Sequence, residues 1–212
     1  MIAGLVLAAG ASSRMGQLKA ALPLGTRGHT VLSHGIAALL GAGVPRLVVV
    51  AGAHAGGVRA ALRGGDPRVT VVDHPGWAEG QLSSMLRGFD ALEDPLLEAV
   101  LMTLADVPLV SSDTIRSLMR AWRAAPARIV RPARGDEHGH PVLFDRRLLG
   151  ELRRADPRQG AKPVVRAHAA DTHNVFVADE GAFLDLDVPA DYERAQVLVA
   201  ERERQAATAP SS

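Results

Sequence analysis

The sequence predicts a Rossmann-like, doubly wound α/β fold: a single domain on a mainly parallel sheet. Three observations lead there. Short apolar runs alternate with amphipathic stretches, the pattern of successive strand–helix–strand units. The chain has 212 residues, enough for one domain with a sizeable core and too few for two. Apolar residues make up 47% of it and charged residues 22%, the balance of a soluble globular domain.

The elements follow in order. Strands are predicted over 2–7, 47–51, 69–73, 99–104, 128–132, 141–144 and 183–185, where short apolar runs are bounded by turn residues. Residues 1–10 are apolar but carry no basic leader and break at Gly10, so they read as a buried first strand and not as a signal or membrane segment. Helices are predicted over 30–42, 54–62, 81–92, 113–124, 146–154 and 190–203. In the first of these Val31, Ile36, Leu39 and Leu40 fall on overlapping helical positions, and Asp113 is placed as the N-cap of the fourth. Residues 133–171, rich in Gly, Arg and His, interrupt the alternation and read as an insertion that covers or extends the sheet. The domain is expected to span 1–200, with 201–212 a flexible tail.

Composition narrows the function. A net charge of +1 gives no reason to expect a nucleic acid or membrane partner. Cysteine is absent, which excludes disulfides, thiolate metal sites and cysteine nucleophiles and is compatible with a cytoplasmic protein. The basic residues are almost all arginine, and the only lysines are Lys19 and Lys162. A lysine kept against such a bias points to a place where a compact ammonium is needed.

Open parallel sheets bind ligands beyond the carboxyl ends of their strands, so the residues after each strand matter most. After the first comes Leu7-Ala8-Ala9-Gly10-Ala11-Ser12-Ser13-Arg14-Met15-Gly16-Gln17-Leu18-Lys19. Small residues let the backbone approach a ligand, successive N–H groups can cradle phosphate oxygens, and Arg14 and Lys19 suit a triphosphate. The alternative is a Gly/Ser turn with two solvated charges. The run is neither a dinucleotide-binding glycine fingerprint nor a P-loop.

After the fourth strand comes Ala105-Asp106-Val107-Pro108. A carboxylate at the sheet's edge before a proline-fixed turn suits a hard cation, Mg²⁺ above all, or equally a turn cap. Near the end, Asp185-Leu186-Asp187-Val188-Pro189-Ala190-Asp191 places Asp185 and Asp187 on one face if extended.

These motifs together resemble the MobA-like NTP transferases, which belong among nucleotide-diphospho-sugar transferase-like folds. The loop over 7–19 matches the pattern L-A-[AG]-G-x-S-x-R-M-G-x-x-K, and the resemblance extends over roughly residues 1–200. Within that family the molybdenum cofactor cytidylyltransferases are most similar, since Ala8-Ala9-Gly10 stands where the guanylyl branch has Ala-Gly-Gly. The Cβ of Ala9 narrows the space for a purine and favours CTP over GTP.

The resemblance implies roles residue by residue. Leu7, Ala8, Ala9, Gly10, Ser12 and Ser13 wrap the nucleotide, with Arg14 and Lys19 on its phosphates. Trp77-Ala78-Glu79-Gly80-Gln81-Leu82-Ser83-Ser84 is similar to the family's W-x-x-G-[MQ] segment, which places Gly80, Gln81 and Ser84 at the nucleotide; Trp77 itself reads as core or lid packing. Asp106 and Asp187 are the implied Mg²⁺ ligands, Asp185 is a structural or secondary acid, and Asp191 caps the last helix. Arg134, His140 and Lys162 lie in segments that face the acceptor. Arg14, Lys19 and Asp106 are the implied catalytic set.

The implied reaction moves CMP from CTP to the phosphate of metal-bearing molybdopterin, with a molybdoenzyme or its chaperone as a further partner. The competing readings are a GTP-dependent enzyme or another phosphorylated acceptor, an NAD(P)-dependent oxidoreductase on a related sheet, and a non-catalytic nucleotide-binding module. The missing glycine fingerprint speaks against the second, and intact Lys19, Asp106 and Asp187 against the third.

Overall fold

The computed structural model describes residues 1–11, 18–26 and 28–208. Four parallel strands form one half of an eight-stranded sheet: β1 (Ile2–Ala8), β2 (Leu47–Ala51), β3 (Val69–Asp73) and β4 (Ala99–Leu104), in the spatial order β3-β2-β1-β4. Beyond β4 the order continues through β7 (Val142–Asp145), β5 (Ile129–Arg134) and β6 (Glu137–His138), while β8 (Thr172–Phe176) pairs with β5. Here β7 runs antiparallel to both β4 and β5, and β8 is parallel to β5. The doubly wound, mainly parallel sheet predicted from the sequence is the observed one.

Helices α1 (Val31–Gly41), α2 (Ala55–Ala61), α3 (Gln81–Ala91), α4 (Ser112–Ala124), α5 (Arg146–Arg154), α6 (Lys162–Ala167) and α7 (Pro189–Thr208) complete the fold. Alternation along the strands sorts the core into two layers. Ile2, Val6 and Ala8 of β1 join Leu47 and Val49 under Leu32, Ile36 and Leu39 of α1 and Ile115 and Leu118 of α4. Ala3, Leu5 and Leu7, with Val48, Val50, Val100 and Met102, pack under Met85 and Phe89 of α3 and Leu148 and Leu152 of α5. A third cluster joins Leu24 and Val31 to Leu109, Leu184, Leu186, Ala195 and Val199, seating α7 beside the sheet.

Helix starts show the local chemistry. Thr30 and Ser33 form a reciprocal cap on α1, and Asp145 caps α5 by accepting from the Arg147 N–H at 2.8 Å.

Several expectations are corrected. Ser111, not Asp113, caps α4 by accepting from the Thr114 N–H at 3.1 Å; Asp113 lies in the first turn and pairs with Arg116. Residues 183–185 form no strand, because Leu184 and Leu186 turn into the third cluster. The strand on the outer side of β5 is instead β8, and α6 was missed because Pro163 reads as a breaker, although it sits in the helix's first turn, where proline is tolerated. From Glu201 the chain continues α7 to Thr208. Arg202 anchors that turn on Asp179 at 2.9 Å; residues 209–212 lie outside those described.

Candidate functional site

A cleft of about 470 Å³ opens at the carboxyl ends of β1 and β4. Its walls come from three segments that the topology brings together: Leu7–Gly10 at the end of β1, Trp77, Ala78, Gly80, Gln81 and Ser84 at the start of α3, and Leu104–Asp106 at the end of β4, with Leu18–Ala20 closing one side. Of the residues singled out in the sequence, Leu7, Ala8, Ala9, Gly10, Lys19, Gly80, Gln81, Ser84 and Asp106 line this one space. Ser12, Ser13 and Arg14 lie outside the described residues.

The α3 wall presents backbone donors. Gly80 precedes the helix at φ 110°, and no side chain caps the first turn. Glycine is needed for that backbone, and the uncapped N–H groups make the helix start receptive to phosphate or carbonyl oxygens. The Ser83 hydroxyl is taken up by His74 at 2.9 Å and by the Gly80 carbonyl at 2.7 Å, whereas buried Ser84 faces the cleft. Trp77 packs partly against the core and also lines the cleft.

Acidic groups gather around Lys19; Asp106 lines the cleft, and Asp187 does not. Lys19 is 8% exposed; its Nζ donates to Asp187 Oδ1 at 3.1 Å and stands 3.9 Å from Asp106 Oδ2. The two acidic segments are tied directly, the Leu186 N–H donating to the Asp106 carbonyl at 2.9 Å. Asp191 Oδ2 accepts from the N–H groups of Asp187 and Val188, both at 2.9 Å; it lies in the first turn of α7 and reaches back over the helix start, where it was expected as the N-cap itself. With Leu184 and Leu186 buried on one side, Asp185 and Asp187 turn to the other.

Burial, reinforced by the charge of Asp187 and opposed by Lys19 and by backbone hydrogen bonding, raises the Asp106 carboxyl above the ordinary value. Partial loss of water, then the charges of Asp106 and Asp187, push Asp185 up to about 6 against the pull of Lys19. Carboxylates held together against their mutual repulsion favour a cation. Among the described residues no group of three or more His, Asp or Glu side chains is arranged to hold a metal by itself. Asp106 and Asp187 offer only hard oxygen donors, which fits a hard divalent ion that completes its shell from phosphate and water.

The three acceptor candidates are not among the cleft-lining residues. Arg134 pairs with Glu137 at 2.7 Å and lies over the Phe183 ring at 4.6 Å. His140 donates its N–H to Ala182 and precedes a cis proline; burial lowers its ring pKa, and Nδ1 has no partner among the described residues. Lys162 is exposed at the start of α6.

Sequence reasoning missed the turn after β2, although its place beyond a strand end could have flagged it. Ala53 donates its N–H to the Ala9 carbonyl and His54 Nε2 donates to the Ala11 carbonyl, both at 3.1 Å. A Cβ on Gly52 would lie 2.5 Å from the Ala9 oxygen and 2.7 Å from the Trp77 Cβ. Gly52→Ala is therefore expected to cost about 1–3 kcal/mol, the range for overpacking, as read from the denaturant midpoint; an unchanged midpoint would show that the two cleft walls can separate freely here.

Comparison with known proteins agrees with this geometry. Residues 4–173 match the family model of the MobA-like NTP transferase domain. The molybdenum cofactor cytidylyltransferase of Escherichia coli K12 is 25% identical over 189 residues, covering 89% of this chain and 92% of that protein. A nucleotidyl transferase from Methanothermobacter superposes with a TM-score of 0.81 at 28% identity, covering 95% of this chain and 99% of the other. Rv0371c of Mycobacterium tuberculosis H37Rv, solved in complex with manganese, gives a TM-score of 0.72 at 31% identity, with 92% and 98% covered.

Proposed function

Given that this chain belongs to the MobA-like NTP transferase family, we propose that it is a cytidylyltransferase moving CMP from CTP to the phosphate of molybdenum-bearing molybdopterin, with release of pyrophosphate. One observation carries the reading: the small-residue loop after β1, the uncapped start of α3, Lys19 and Asp106 meet in a single cleft, and Asp187 is held against that Lys19. The likeness to the cytidylyltransferase of E. coli supports the acceptor and the nucleotide.

In this reading the acceptor's phosphate oxygen attacks the α-phosphorus in line. The new P–O bond forms as the bond to the β-phosphate oxygen breaks, and the electron pair leaves on pyrophosphate. A phosphate oxyanion is already nucleophilic at neutral pH, so no protein base is needed, and the chain contributes positioning and charge. Backbone N–H groups of the loop and of α3 orient the nucleotide. Lys19 faces charge developing on the α-phosphate and leaving group, the family resemblance adds Arg14, which lies outside the described residues, to that role, and Gly80, Gln81 and Ser84 border the base and ribose. Asp106 and Asp187 would hold a divalent ion, Mg²⁺ in this proposal, which supplies charge neutralisation on the phosphates. Ala9, buried at the cleft wall, narrows the base pocket towards a pyrimidine.

Among the described residues no helix is long and apolar enough to cross a membrane; we place the protein in the cytoplasm on the nature of its substrates. The test is pyrophosphate release with Mg²⁺, offering CTP or GTP with and without molybdenum-loaded molybdopterin. Release is expected with CTP and only when the acceptor is present. Release with GTP alone would move the protein to the guanylyl branch, and acceptor-independent or absent release would remove the proposed acceptor.

A further inference from the structure

Four described arginines are half-buried: Arg46, Arg128, Arg131 and Arg202. Arg46 reaches Asp94 at 3.7 Å, Arg128 reaches Asp171 at 3.5 Å, and Arg202 reaches Asp179 at 2.9 Å. Arg131 differs: its Nε donates to the amide oxygen of Asn174 at 2.9 Å, and it meets no carboxylate among the described residues. A guanidinium withdrawn from water without an anion is costly, and burial holds Arg131 below the ordinary arginine value. One of its five N–H donors is used on a neutral oxygen that orients the fork, leaving a geometry suited to a bidentate oxyanion.

Its place in the sheet connects it to the cleft. Leu5 pairs with Met102, Met102 with Val142, and Arg131 with Asn174; the Val130–Leu143 pair sets Arg131 level with Val142. These residues share the sheet face that carries Leu7, Ala9 and Leu104 of the cleft. Two strand spacings, about 10 Å, separate Arg131 from Met102 along that row, a distance a small substrate spans. His138 pairs with Ala133 and so projects from the same face; it is exposed, and the charge of Arg131 helps lower its pKa after partial desolvation.

We propose that Arg131, oriented by Asn174 and flanked by His138, is an oxyanion subsite on the acceptor side of the cleft, holding an anionic oxygen group of the acceptor remote from the attacking phosphate. The proposal rests on the nucleotidyl-transfer reading and adds an acceptor anchor to the expected Arg134, His140 and Lys162; like them, Arg131 lies outside the lining of the nucleotide cleft. The probe is inorganic phosphate, titrated calorimetrically into the protein saturated with Mg²⁺ and a non-hydrolysable CTP analogue, which fills the nucleotide end. Saturable binding is expected, weakened roughly 10- to 100-fold in Arg131→Met, the loss of a charged hydrogen-bonding partner. Asn174→Asp should weaken it as well, because an internal carboxylate then occupies the guanidinium, and it should leave the melting temperature undiminished, which separates loss of the site from loss of the fold. Wild-type affinity in both variants, or no saturable binding in the wild type, would overturn the subsite. Failure of every variant to bind the nucleotide analogue would instead sink the transferase reading, and phosphate titrated alone would then still decide on Arg131.

Discussion

Asp106→Ala is expected to lower the turnover number by roughly 10²- to 10³-fold, the scale for removing a group that stabilises developing charge, without lowering the melting temperature. The second half of this expectation follows from electrostatics. Burial and the neighbouring Asp187 raise the Asp106 carboxyl, so its ionised form is disfavoured in the folded protein. Removing it relieves desolvation and repulsion, while Lys19 keeps its 3.1 Å bond to Asp187. Steady-state pyrophosphate release and thermal unfolding, measured on the same preparation, check both halves. Near-normal turnover would refute the assignment of Asp106 to the metal and phosphates; a large drop in melting temperature would make it a structural turn cap. Asp106→Asn, which keeps the shape and loses the charge, should be nearly as inactive.

Asp179→Ala is expected to have the largest effect on stability. Its carboxylate is 9% exposed and accepts from the Ser111 N–H at 2.7 Å, the Thr114 hydroxyl at 2.8 Å, Arg202 at 2.9 Å and the Gly181 N–H at 3.2 Å. It therefore joins the start of α4, the turn at residues 180–182 and the end of α7. Removing it strands an arginine and several donors, at a cost of roughly 3 kcal/mol once the exposure of Arg202 is discounted, or about 6–12 °C in melting temperature.

The pH dependence has a definite sign. Burial alone would raise this carboxyl, but the hydrogen bonds from Ser111 and Thr114 and the charge of Arg202 outweigh it and leave the pKa lowered. The unfolded chain then binds the proton first as pH falls. The stabilisation is complete above the unfolded value near ~3.9 and is lost progressively as pH drops towards the lowered folded value. Asp179→Asn should flatten the acid limb of the stability curve relative to the wild type. An unchanged acid limb would show that other carboxylates govern it.

The site was legible wherever its chemistry lay in a contiguous stretch. The small-residue loop after β1 and Asp106 before a proline stood out as residues just beyond strand ends, and the resemblance to the MobA-like transferases singled out the glycine before α3 and the metal role of Asp106. Arg131 could not be found in this way. A basic residue between Val130 and Pro132 looks like any surface arginine until β8 is known to pair with β5 and to bring Asn174 opposite it. That strand, whose side chains are all at least partly exposed, has too little apolar contrast for periodicity to expose it. Asp179 escaped for a similar reason: nothing local marks a carboxylate that collects donors from segments 65 to 68 residues away.

By itself the sequence determined the doubly wound class, the strands β1 to β4 almost to the residue and the identity of the loop that faces the cleft. These depend on short-range periodicity, because alternation in a strand and the helical repeat report directly which side of each element is buried. Tertiary structure alone decided the reversal of β7, the addition of β8 beyond β5, the seat of α7, and the meeting of Lys19 with Asp187 across 168 residues of chain. Those outcomes rest on contacts between remote segments. Their free energy appears only when the chain closes and buries the surfaces that hold them together.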